Sequence, residues 1–248
     1  MAKEHTVKAF TQELELLKAK VFEMAKECEG QLAKAVHSLV ERDMMLARDI
    51  IEGDSKINRL QSEVDELAIR ILALRQPMAL DLRNIVAAQK MAADFERIAD
   101  YAAGIAKHLI DLENISLDKP IRSIVEMANS ALGMLRDVLV AYQELDTEKA
   151  VEIWHRDKEI DKIYFRLLTQ LRTTMIEDST SVSPSTTLLF MGRCCERIGD
   201  HITNVAENIE YIVSGEMYHG RPRQLKSGIE TRKSTGFTSA YLLNFAPR

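Results

Sequence analysis

Residues 94–101 read DFERIADY and residues 194–201 read CCERIGDH, so the same Glu-Arg-Ile-small-Asp string recurs 100 positions apart in a chain of 248 residues. The repetition is wider than the string itself. DMMLARDIIEGDSKIN at 43–58 aligns with DTEKAVEIWHRDKEID at 146–161, pairing Asp43 with Asp146, Ala47 with Ala150, Ile50 with Ile153, Asp54 with Asp157 and Ile57 with Ile160. A unit written twice at this length constrains the fold more than any composition value. The chain is built from two copies of one supersecondary unit, each packing like its twin.

The unit is helical. Breakers are sparse, with ten Gly and five Pro, and a 3.6-residue apolar period persists along the body. The period predicts helices over 6–42, 43–52, 55–75, 78–113, 120–144, 146–155, 157–178 and 185–214. Asp54, Pro77, Asp118 with Pro120, Asp146, Asp157 and Pro184 mark their joints, and Gly53 and Gly215 close two of them. Each copy then holds three long helices and one short one. The expected fold class is all-α, two tandem pseudo-symmetric three-helix bundles side by side, over 1–114 and 115–215, followed by a tail at 216–248. With 46% hydrophobic residues the chain has enough apolar material for both cores.

Charge narrows the partners. The net charge is −5, yet residues 216–248 carry six Lys or Arg against two Glu, which leaves about −9 on the rest. An acidic body argues against nucleic acid as the main partner, because phosphate backbones recruit basic surfaces. The tail is basic and rich in Gly, Ser and Thr, the composition of a disordered extension. No apolar run is long enough to span a bilayer. The opening MAKEHTVKAF lacks the pattern of a secretory signal, and three Cys with two adjacent form no disulfide framework, so the expected location is cytoplasmic.

Helical spacing places the repeated string. Met91, Phe95, Ile98, Ala102, Ile105 and Leu109 alternate steps of four and three, as do Met191, Cys195, Ile198, Ile202, Val205, Ile209 and Ile212. These are core seams. At 100° per residue, Glu96 and Asp100, and likewise Glu196 and Asp200, point roughly 130–170° away from the seam. Carboxylates at i and i+4 repel each other, so something must offset them. One reading gives Arg97 and Arg197 ordinary ion pairs worth about 0–1 kcal/mol each. The other gives each pair a cation, with oxygens added from a neighbouring helix. Asn204 and Glu207 extend the oxygen-rich stripe of the second copy, whereas Gly104 and Lys107 interrupt that of the first. His201 projects to a different face and reads as a packed or solvated histidine.

HTVKAFTQELELLKAKVFEMA at the start, LRQPMALDLRNIVAAQKMAADFERIADYAAGIAK in the middle and CCERIGDHITNVAENIEYIV near the end closely resemble the PhoU family of bacterial phosphate-signalling regulators. The resemblance covers about residues 5–215 and implies two bundles built like spectrin repeats. It implies that the ExxxD element binds metal, which carries over onto Glu96, Asp100, Glu196 and Asp200 and, with weaker correspondence, Asn204. Iron, zinc, manganese and magnesium are the ions associated with the family, while the absence of His and Cys from the carboxylate faces favours oxygen-seeking ones. The resemblance further implies a negative regulator of phosphate uptake and of the phosphate regulon, not an enzyme. It would be a homodimer or larger oligomer, meeting the membrane only through partners: the ATPase subunit of a phosphate ABC transporter and a sensor histidine kinase.

Two other classes compete. A metal-independent helical adaptor needs only solvated carboxylates. A carboxylate-bridged di-iron enzyme needs ExxH pairs on long inward-facing helices. The strings Glu152–His155 and Glu216–His219 occur, the first on a short predicted helix and the second past Gly215. No phosphate-binding loop, dinucleotide turn or nucleophile elbow is present in the sequence.

Overall fold

The structure, a computed structural model, describes residues 2–53, 55–112 and 118–216. Among these residues seven α-helices run in order: α1 (Ala2–Glu41), α2 (Met44–Glu52), α3 (Ser55–Arg75), α4 (Ala79–Asp111), α5 (Asp118–Glu144), α6 (Thr147–Glu177) and α7 (Val182–Ser214), with one 3-10 turn (Ser179–Ser181) before α7. Among the described residues there is no strand. No helix there is long and apolar enough to cross a membrane. The tail expected at 216–248 lies, apart from Glu216, outside the described residues.

α1, α3 and α4 form one bundle, with α2 packed on α1 and α4; α5, α6 and α7 form the other. The bundles join mainly through α4 against α7, with α1 against α5 alongside. The seams expected on α4 and α7 are this core: every one of their thirteen side chains is at most 2% exposed. α4 also buries Ala87, Ala88, Ala92, Ala99 and Ala106, small residues that let it serve its own bundle and the junction at once.

Internal symmetry reaches the corners. Arg42 and Leu145, equivalent positions in the two copies, both take left-handed backbone with φ of 54° and 53°. At each corner the following Asp donates its N–H back into the preceding helix, Asp43 to Ser38 O at 3.0 Å and Asp146 to Ala141 O at 2.9 Å. Asp43 Oδ1 then accepts from Met45 and Leu46 N–H, and Asp146 Oδ1 from Lys149 N–H, as N-caps should. Gly215 ends α7 at φ 76° with its N–H on Tyr211 O at 2.9 Å. A side chain is strained in that conformation, so Gly215→Ala is expected to cost about 1–2 kcal/mol in urea unfolding. An unchanged midpoint would show that the α7 terminus contributes nothing to the cooperative unit.

The copies differ in the second helix of the unit. A break at Asp157 was expected, by analogy with Asp54, but α6 runs through it without interruption. In the first copy Gly53 closes α2 by donating to Asp49 O; Arg156 stands at the equivalent position, remains helical and pairs with Asp137 of α5. Without the glycine nothing stops the helix. The second bundle therefore has no separate short helix, and Asp157 is an interior residue instead of a cap. α7 likewise begins at Val182, ahead of the expected 185. Pro184 fits in its first turn, where backbone N–H groups have no intrahelical acceptor.

Candidate metal centre

The pairing of α4 with α7 is antiparallel: Asp94 meets His201 and Asn204, while Gly104 meets Cys194. Under the 100-residue repeat these are symmetry-related contacts, since Asp94 corresponds to Cys194 and Gly104 to Asn204. Asn204 Nδ2 donates to Asp94 Oδ1 at 3.1 Å, and His201 Nδ1 lies 2.9 Å from the same oxygen. His201 stacks on its own repeat counterpart, Tyr101, with ring centroids 5.8 Å apart. A Cβ on Gly104 would lie 3.1 Å from Cys194 Sγ, so the small residue here is a packing requirement of the junction. Asn204 thus has a partner in the other bundle, and His201 is packed.

The four repeated carboxylates border the core, half-buried. Side-chain exposure is 18% for Glu96, 35% for Asp100, 14% for Glu196 and 40% for Asp200. Arginines lie against both pairs. Arg97 Nη1 is 3.0 Å from Asp100 Oδ2 and its Nε is 3.4 Å from Glu96 Oε2. Arg197 Nη1 is 3.2 Å from Asp200 Oδ2, and Arg193 Nη1 is 2.6 Å from Glu196 Oε1. The ion-pair reading therefore describes part of each site.

Around Glu196 it does not describe everything. α6 contributes Asp157 and Asp161, whose i, i+4 spacing repeats that of Glu196 and Asp200 on the neighbouring helix. Burial pushes the Asp157 carboxyl up to about 7, and the charges of Asp161, Asp200 and Glu196 push the same way. Asp161 and Glu196 are also raised, chiefly by burial and then by Asp200, against an opposing pull from Arg193 and, for Glu196, Arg197. Asp157 Oδ1 and Glu196 Oε2 are both buried without a hydrogen-bond partner. A buried acceptor left in that condition costs roughly 1–3 kcal/mol, more when charged. Gly199 permits the arrangement: a Cβ there would lie 2.2 Å from Asp157 Oδ1. Its counterpart in the first copy is Ala99, and Asn58 stands in place of Asp161.

Asp157 and Asp161 escaped the sequence reading because the repeat alignment put Asp157 at a helix start. The DxxxD spacing was the available signal, and a continuous helix was needed to read it. The ExxH strings acquire no inward geometry: Glu152 and His155 are both exposed on α6, and His219 lies outside the described residues. Cys28 and Cys195 are fully buried, and Cys194 nearly so, with burial raising all three thiols. They are small core residues.

Fold and site together define a tandem helical-bundle protein in which each unit carries a carboxylate face beside its core. The chain belongs to the PhoU family, whose domain model matches residues 21–109 and 124–209, one match in each bundle. It is 42% identical over 214 residues to the phosphate-specific transport system accessory protein PhoU homolog of Caulobacter vibrioides, covering 86% of this chain and 93% of that one. The crystal structure of PhoU from Pseudomonas aeruginosa superposes with a TM-score of 0.80 at 34% identity, over 84% of this chain and 100% of the other. The phosphate transport system regulatory protein PhoU from Streptococcus pneumoniae gives 0.79 at 30% identity, over 85% and 99%.

Proposed function

We propose that this protein is an accessory regulator of high-affinity phosphate transport that restrains uptake and the phosphate response when phosphate is plentiful. The observation that carries the reading is similarity over 86% of the chain, at 42% identity, to a relative named as a phosphate-specific transport system accessory protein. Its contacts are with the transporter's ATPase subunit and the sensor kinase, on the cytoplasmic side. A helical body with carboxylate faces suits docking on such partners.

The α6–α7 face adds a cation to this reading. Two buried carboxylate oxygens that accept no hydrogen bond, one of them with only a 4.0 Å ion pair to Arg197 Nε, stand among four acidic side chains and fit a hard ion such as magnesium, manganese or ferric iron, and the all-oxygen set suits zinc less well. Among the described residues no three acidic, imidazole or thiol groups stand ready around one ion. Binding therefore requires Glu196 and Asp200 to turn from their arginines toward Asp157 and Asp161. The ion would supply positive charge that relieves their mutual repulsion. Glu96 and Asp100 have Asn58 in the place of Asp161, so theirs is the poorer site of the two.

Alkaline phosphatase activity in phosphate-rich medium tests the regulatory role. Deleting the gene is expected to raise it at least severalfold, and wild-type sequence to restore repression. Replacing both Glu196 and Asp200 by Ala should leave it high while circular dichroism shows an intact fold. Low activity in the deletion strain would refute the regulatory reading. Full repression by the folded double variant would remove the acidic face from it.

A further inference from the structure

A cavity of about 160 Å³ lies where the two bundles meet, walled by Leu17 and Lys18 of α1, Asn84 and Ala88 of α4, Tyr142 of α5 and Leu145 just beyond it. A space of this size admits a body as large as a benzene ring. Its polar side chains can all donate: the Lys18 ammonium, the Asn84 amide and the Tyr142 hydroxyl. No carboxylate stands among its walls, in a chain of net acidic charge.

Tyr142 is only 5% exposed, yet its hydroxyl has no hydrogen-bond partner among the described residues, and burial alone pushes its pKa up to about 12. A tyrosine buried this far ordinarily finds a partner for its hydroxyl. The Lys18 ammonium lies 5.9 Å from the centre of the Tyr142 ring and pairs with no carboxylate among the described residues. Of the carbonyls that end α5, which oppose an anion, Ala141 O is already taken by the Asp146 N–H at 2.9 Å.

The fold itself does not ask for these polar groups. The offset that pairs Asp43 with Asp146 also pairs Met24 with Met127 and Gly30 with Gly133, and it sets Ile121 opposite Lys18 and Leu39 opposite Tyr142. The offset of the Glu-Arg-Ile string sets Pro184 opposite Asn84. All three counterparts are apolar, so the twin corner is built without the donors that this one carries.

We propose that this cavity binds a small organic oxyanion, a carboxylate or phosphate monoester on a short apolar body. The body fills the space against Leu17 and Ala88, and the head takes hydrogen bonds from Lys18, Asn84 and Tyr142. Because α1 and α4 belong to one bundle and α5 to the other, the bound molecule bridges the two. The site goes beyond the transport reading and stands or falls by binding alone.

The test uses the full chain with phenyl phosphate and benzoate as probes, read by saturation-transfer difference NMR. At least one should bind saturably, with a dissociation constant of about a millimolar or tighter. Lys18→Glu should weaken that binding by about tenfold or more and Tyr142→Phe by about threefold or more, with circular dichroism unchanged. Lys158→Gln, which removes a lysine lying 4.9 Å over the Trp154 ring of α6, should leave it unchanged. Inorganic phosphate and phenol, which carry the charge and the ring separately, should displace the probe only at about tenfold higher concentration. Absence of saturable binding by both probes would overturn the proposal, as would equal affinity in wild type and in either folded cavity variant. Displacement by phosphate or phenol at the probe's own concentration would overturn it too, by showing that charge alone or apolar contact alone is recognised.

Discussion

Asp157→Asn is expected to make the metal-free protein more stable, and more so as pH rises. The native carboxyl sits near 7, against an ordinary value of 3.8, because of burial and then the neighbouring charges of Asp161, Asp200 and Glu196. The native state therefore binds a proton that the unfolded state has lost between pH 4 and 7, so wild-type stability falls across that window and the deficit is complete above 7. The group is partly exposed; with solvent screening allowed for, the deficit is on the order of 1–2 kcal/mol. Asn removes it, for a gain of about 3–6 °C in melting temperature at pH 8 and almost none at pH 4. Manganese or magnesium should give wild type a comparable gain at pH 8 and the variant much less. Calorimetry at pH 4, 6 and 8, with chelator and with each ion, reads both. Equal melting temperatures at pH 8 would mean that Asp157 is adequately solvated, and a wild type indifferent to the ions would remove the metal reading.

Phe95→Ala should be the most damaging single truncation. Phe95 is 0% exposed and lies on α4, which packs on α1 and α3 within its bundle and on α7 across the junction. Its carbonyl also accepts from the buried Cys28 thiol of α1, with Sγ 3.3 Å away. Loss of the ring removes transfer free energy and leaves a cavity in a layer that neighbouring helices hold open, a cost of about 3–5 kcal/mol. That amounts to roughly 10 °C in melting temperature for a domain of this size. Met45→Ala, at a side chain 81% exposed on α2, should change stability by less than about 0.5 kcal/mol. Urea denaturation of both variants checks the contrast. A cost below about 1.5 kcal/mol for Phe95→Ala would show that the α4 core relaxes freely around the gap.

The fold was legible because its instructions are local and periodic. The seams Met91–Leu109 and Met191–Ile212 follow from steps of three and four, Asp43 and Asp146 cap helices by hydrogen bonds within three residues, and Gly215 stops α7 through its own backbone freedom. Doubling of the unit was visible as repeated letters. The carboxylate face of α7 could be placed in the same way, because a helix turns 100° per residue whatever surrounds it.

What the sequence could not show is which faces meet. Asp157 looked like a cap because its repeat partner follows a glycine; a continuous α6 instead buries it over Gly199, where its charge state depends on side chains of two helices. Asn204 looked like an extension of the acidic stripe, and the antiparallel crossing of α4 gave it Asp94. Met78 reads in sequence as part of a helical pattern, and only its exposure and the left-handed residues beside it mark it as presented outward. Helix identity and facing are short-range properties that a chain writes directly. The partner a face acquires, and with it the charge state of a carboxylate, depends on packing between residues far apart in sequence and is decided by the tertiary structure.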